Sequence, residues 1–219
     1  MREILPYAEE KKIAIPAFNI DTMEITQAIL ETVEEENCPA IIAVGQAAIK
    51  DGKLESLAAT VRTLAKDMKT PVVLHLDHGQ SVEQVVKALC AGFTSVMIDG
   101  SKLSFEDNIA LTKSVADAGR AMGVPVEAEL GKVGGKEDDG PAVEGESPYT
   151  DPAEAKEFVE RTGCTSLAIG VGTSHGVYTS DPHIEQSVVK AIRDAVDVPL
   201  VLHGTSGVPD EQVAEAVKN

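Results

Sequence analysis

Short apolar runs rich in β-branched residues alternate with longer stretches of helical periodicity along the whole chain, and no other feature constrains the fold as much. Strands are expected over 13–18, 40–45, 71–77, 95–99, 124–130, 166–171 and 199–203. These runs are apolar on nearly every residue, as strands buried on both faces are. Helices are expected over 22–36, 53–68, 81–91, 105–122, 152–162, 184–195 and 209–218, with Asp21 and Ser81 placed to open helices and Gly92, Gly123 and Gly163 placed to close them. Parallel neighbours need a crossover, usually a helix, so this alternation points to a parallel sheet with covering helices.

Seven such units fit in 219 residues, a length that holds one sizeable core. The reading is α/β: a (β/α)8 TIM barrel truncated after its seventh β/α unit, one domain over 1–219 with the eighth strand and the C-terminal helices absent. A barrel short of one strand leaves two unpaired edges, which is costly. A seven-stranded open barrel or a doubly wound sheet stands as the alternative. The formal charge of −17 argues against a nucleic-acid partner, which needs a basic patch. An anionic substrate must then be held locally, by backbone N–H groups, single lysines or a metal. No run of about 18 apolar residues exists to span a membrane, and Met1–Pro6 lacks the apolar segment of a signal peptide. Cys38, Cys90 and Cys164 are isolated and odd in number, which suits reduced cysteines in a cytoplasmic protein.

Histidine is scarce, five in all, yet His75, His78, His175 and His203 fall at the carboxyl ends of expected strands. Barrel active sites form at that rim. Catalytic zinc takes three protein ligands and keeps one position open, and His78, His175 and His203 supply three imidazoles from three different strands. Their separations of 97 and 28 residues form no compact motif, so the inference rests on their equivalent positions.

Carboxylates gather at the same level. Asp77 precedes His78, and Asp99 ends the run Val96–Asp99. Glu127 and Glu129 alternate along one strand, so both point to one face. Two acids facing a barrel interior need a cation or hydrogen bonds; the alternative is a displaced strand with both in solvent. The Gly-rich, acidic stretch 131–151 is the longest loop expected and reads as an active-site lid. Gly172–Gly176 and Gly204–Pro209 form turns, the second opening a helix, where backbone N–H groups hold phosphate.

Together these motifs resemble the class II, metal-dependent ketose-bisphosphate aldolases. They are Ile13–Asn19, His75-Leu76-Asp77-His78-Gly79, Asp99-Gly100-Ser101, Glu127-Ala128-Glu129-Leu130-Gly131, Gly172–Tyr178 and Leu202–Gly207. The resemblance implies Zn²⁺ bound by His78, His175 and His203, with Glu129 as a further or alternative ligand, and leaves open a monovalent cation beside it. His75, Asp99 and Glu127 would support these ligands. Glu137 would remove a carbon-bound proton to give an enediolate, and Asp77 would protonate the aldehyde oxygen as the C–C bond forms. Asn19, Gly176, Gly204 and Ser206 would hold substrate and its phosphate. The implied reaction is aldol cleavage and condensation of a ketose 1,6-bisphosphate, fructose- or tagatose-like, giving dihydroxyacetone phosphate and an aldehyde such as glyceraldehyde 3-phosphate. A homodimer or homotetramer is the implied assembly.

Three positions depart from the family's pattern: Gly45 stands where a Ser is usual, Thr179 where a Lys follows the Tyr, and Thr205 where a second Gly follows the histidine. Each bears on a substrate contact rather than on the metal. The expected eighth strand, which carries substrate-binding residues in the family, is missing as well. Two other readings remain: a non-catalytic truncated barrel that retains the metal site, and a divalent-metal sugar-phosphate isomerase or epimerase.

Overall fold

Every expected strand is present, and among the described residues the first four pair in parallel in chain order, as do the last three. The computed structural model describes residues 1–131, 133–135 and 149–219. Glu137 and most of the expected lid lie outside the described residues. The chain divides into two units, Met1–Asp99 with Asp117–Val126, and Gly100–Ala116 with Glu127–Asn219.

The first unit runs α1 (Ile4–Lys11), β1 (Ala17–Asn19), α2 (Met23–Glu36), β2 (Ala40–Val44), α3 (Gln46–Lys50), α4 (Leu54–Leu64), β3 (Val72–Gly79), α5 (Val82–Ala91) and β4 (Ser95–Ile98). α6 (Phe105–Met122) and β5 (Val126–Leu130) each have residues in both units. The second unit continues with β6 (Gly134–Gly135), α7 (Pro152–Thr162), β7 (Ser166–Ile169), β8 (Ser174–His175), α8 (Gln186–Ala195), β9 (Leu200–Val201) and α9 (Asp210–Lys218).

In the first unit the strands pair in sequence order, Ala17 against Ile41, Ala40 against Val72 and His75 against Ser95. In the second, Glu127 faces Ser166 and Leu167 faces Leu200, while β6 and β8 form a separate two-residue pair. β2, β4 and β7, mainly apolar, are buried on every residue, and so is β5 despite its two glutamates. β1 is exposed throughout and begins at Ala17, so Ile13 and Ile15 precede the strand instead of starting it. Met1, Ile4, Ile41 and Val73 cluster in the first unit. In the second, Phe158 is fully buried among Leu167, Ile169, Ile184 and Ile192, with the Phe105 ring 6.2 Å away.

Helix ends follow side-chain chemistry. Ser81 caps α5 by accepting from the Gln84 N–H at 3.2 Å. α2 is opened by Thr22, which accepts from the Ile25 N–H at 3.3 Å, and not by Asp21; both are good capping residues, and the helix starts one position later than expected. Gly92, Gly123 and Gly163 end their helices with left-handed φ of 90°, 73° and 67°. α1, α3 and the β6–β8 pair are additions to the expected elements. Among the described residues, no helix is long and apolar enough to cross a membrane.

Candidate functional site

In the first unit the chemistry collects where β3 breaks its register. Leu76 and Gly79, three positions apart, face Val96 and Ile98, two positions apart, so β3 carries one extra residue. His78 takes it up with φ +47°, a left-handed conformation uncommon outside glycine. A regular strand would send Asp77 and His78 to opposite faces. The bulge instead brings them together: both are buried, with His78 Nε2 3.9 Å from Asp77 Oδ1.

The unusual backbone is held from two sides. Gln46 donates to the His78 carbonyl at 2.7 Å, and the His78 N–H points at Met97 Sδ at 3.3 Å. Gln84 in turn exchanges amide hydrogen bonds with Gln46 at 3.1 and 3.2 Å. Neither glutamine carries a charge or a spacing signal, and sequence reasoning missed both.

His78 Nδ1 lies 3.0 Å from Asp99 Oδ2, each side chain 7 % exposed. A carboxylate there holds the ring proton on Nδ1 and keeps the lone pair on Nε2, the arrangement that supports a metal-ligating imidazole. His75 is buried with Nδ1 2.9 Å from the Ser95 hydroxyl. Asn19, at the end of β1, donates to Asp77 Oδ2 at 2.8 Å.

The second unit holds Glu127, Glu129, His175 and His203. Both glutamates are buried, so the displaced, solvent-facing strand is not what forms. His203 Nε2 sits 3.0 Å from Glu127 Oε1, which leaves the Nδ1 lone pair for a ligand. The His175 and His203 rings lie 5.5 Å apart, tilted by 51°, with ring nitrogens that could serve as ligands within 4.8 Å of one another. That spacing suits two ligands of one ion. Asn108 pins the β5 backbone by donating to the Glu129 carbonyl at 2.9 Å, and Thr112 donates to Asn108 at 3.1 Å.

The two glycine turns are tied together by Tyr178, whose hydroxyl accepts from the Ser174 N–H and donates to the Gly204 carbonyl, both at 2.8 Å. Gly204 has φ +66°, and a Cβ there would lie 2.6 Å from the Ser174 backbone, so only glycine fits. Gly176, with φ +88°, has open space beyond it, and Ser206 is exposed in its turn.

The donors in each unit fit zinc by type: imidazoles with one nitrogen held by a carboxylate, and a buried glutamate. Among the described residues, Asp77, His78, Asp99 and Asn19 are brought together in the first unit, and Glu127, His175 and His203 in the second.

A family model described as fructose-bisphosphate aldolase class-II matches residues 1–219. The fructose-bisphosphate aldolase of Geobacillus stearothermophilus is 45% identical over 221 residues, covering 99% of this chain and 76% of that protein. Among solved structures, the YdjI aldolase from Escherichia coli K12 is similar at 41% identity and TM-score 0.86, over 97% of this chain and 75% of that one. Campylobacter jejuni fructose-bisphosphate aldolase is similar at 28% identity and TM-score 0.79, over 99% of this chain and 72% of that one.

Proposed function

The chain belongs to the class II fructose-bisphosphate aldolases, a family of lyases, and we propose that it performs metal-dependent aldol cleavage and condensation of a ketose 1,6-bisphosphate. Dihydroxyacetone phosphate is the three-carbon product on this reading, and the partner aldehyde is one such as glyceraldehyde 3-phosphate.

One observation carries the metal dependence. Two histidines from separate parts of the sequence each have one ring nitrogen 3.0 Å from a buried carboxylate, His78 with Asp99 and His203 with Glu127. That pairing fixes the tautomer a metal ligand needs, and it supports the metal reading at both positions. We assign zinc to His78, His175 and His203, with Glu129 as the further ligand. Bound there, zinc supplies Lewis-acid polarisation of the ketose carbonyl and hydroxyl.

The chain's own groups do the rest. In the condensation direction Glu137 takes the carbon-bound proton of dihydroxyacetone phosphate, and Asp77 gives a proton to the aldehyde oxygen as the C–C bond forms; cleavage reverses both transfers. The backbone around Gly176, Gly204 and Ser206 holds the ketose phosphate.

The test is solvent exchange of the hydroxymethyl C–H proton of dihydroxyacetone phosphate, on the carbon that becomes C3 of the ketose, with and without a chelator. This half-reaction needs metal and base but no aldehyde, so it does not depend on which sugar is split. Chelator-sensitive exchange, abolished in His203→Ala and strongly slowed in Glu137→Ala, is the expected result. Exchange that survives full zinc removal would overturn the assignment, and so would no exchange at stoichiometric zinc.

A further inference from the structure

The Asn19–Asp77 hydrogen bond spans a strand. Asn19 on β1 pairs with Ala43 on β2, and Ala43 pairs with His75 on β3, two residues before Asp77. Neighbouring strands lie about 4.8 Å apart, so β1 and β3 are separated by roughly 10 Å. The two side chains meet at 2.8 Å only by reaching over the carboxyl end of β2. Gly45 is the residue just past that end.

A Cβ at Gly45 would lie 2.9 Å from Asn19 Nδ2 and 3.6 Å from Asp77 Oδ2, directly over the bond. The Gly45 backbone, with φ −92° and ψ −179°, is extended and open to any residue. Nothing in the chain's conformation therefore calls for glycine there; what glycine provides is room. The atom a methyl group would strike is the far end of the Asn19 side chain, not backbone. A substitution at 45 thus displaces Asn19 from Asp77 while leaving the strand and α3 in place.

We infer that Asn19 is a positioning residue for Asp77, and that Gly45 exists to let the two meet. The inference rests on the proposed function for the role of Asp77 as proton donor to the aldehyde oxygen. Asn19 holds Oδ2, which fixes the rotation of the carboxyl group and so the direction in which its proton is delivered. It departs from the expectation that Asn19 holds substrate.

Asn19→Ala, Gly45→Ala and the double variant of the zinc-loaded full chain test this, in two reactions. The first is cleavage of fructose 1,6-bisphosphate, the second exchange of the hydroxymethyl C–H proton of dihydroxyacetone phosphate. Each single variant is expected to lose about 10- to 100-fold in kcat for cleavage, the scale of a misplaced catalytic group. KM and the exchange rate stay within about twofold, and the double variant is no slower than the slower single. A raised KM for dihydroxyacetone phosphate in Asn19→Ala would make Asn19 a substrate ligand, and multiplying losses would make Gly45 independent of it; either overturns the inference. A wild-type chain inactive in both reactions would overturn the proposed function instead. The bridge is then decided without catalysis, by the Asn19 side-chain amide signals in a ¹⁵N-resolved NMR spectrum. They shift in both Gly45→Ala and Asp77→Ala if the bridge exists, and in neither if it does not.

Discussion

Exchanging Asp99 for asparagine changes one atom and reverses the proton on a histidine. In the native pair the carboxylate accepts from His78 Nδ1 at 3.0 Å, with both side chains 7 % exposed. An asparagine of the same shape can present its NH₂ group to Nδ1, which moves the ring proton to Nε2 and takes away the lone pair assigned to zinc. Loss of such a supporting partner weakens metal binding by roughly 10- to 100-fold, or about 1.4–2.7 kcal/mol. The burial of this pair places Asp99→Asn toward the upper end, because water cannot stand in for the lost carboxylate. The assay is zinc titration against a chromophoric chelator at neutral pH. Asp210→Asn, on the exposed first turn of α9, is the control. Glu127→Gln is expected to act in the same way through His203. Zinc affinity within twofold of wild type in a folded Asp99→Asn protein would refute the reasoning, since the pair would then be a structural hydrogen bond only.

Phe158→Ala empties a fully buried site against Phe105 and is expected to cost about 3–5 kcal/mol in urea unfolding; a loss below about 1 kcal/mol would mean that the core collapses onto the void. Cys164 is buried, and that burial pushes its thiol up to about 11. At mildly alkaline pH, Cys38 and Cys90 will therefore react with a disulfide reagent while Cys164 reacts only after denaturation, counted spectrophotometrically. The Glu34 carboxylate accepts from the Thr70 and Lys69 N–H groups, and these bonds hold it below its ordinary value of 4.5. A depressed carboxylate contributes stability that is present above the ordinary value and is lost as pH falls through the folded one. Glu34→Gln will consequently melt below wild type at neutral pH, and the gap will close in acid; a constant gap would show that charge plays no part.

The strands and main helices were legible because a parallel strand buried on both faces must be apolar at every position, which few other elements require. What failed to show was short or carried no pattern. α3 has five residues, too few for helical periodicity to register. The β6 glycines lack the side chains that mark a strand. α1 contains Pro6 in its first turn, where a missing N–H does no harm, yet the residue reads as a break. The histidines and acids at strand ends stood out by position alone. Their pairings did not, because Asp99 meets His78 through a bulge and a left-handed residue, and neither leaves a mark in the order of residues. The reach of Asn19 to Asp77 depends on register across three strands, which the order of residues does not reveal.

The small β6–β8 pair sets Gly134 against Ser174 and Gly135 against His175. The stretch that follows β5 and the segment that carries His175 are therefore tied by backbone pairing, and local opening of either one loosens the other. Amide hydrogen exchange would then report the two stretches as one cooperative unit.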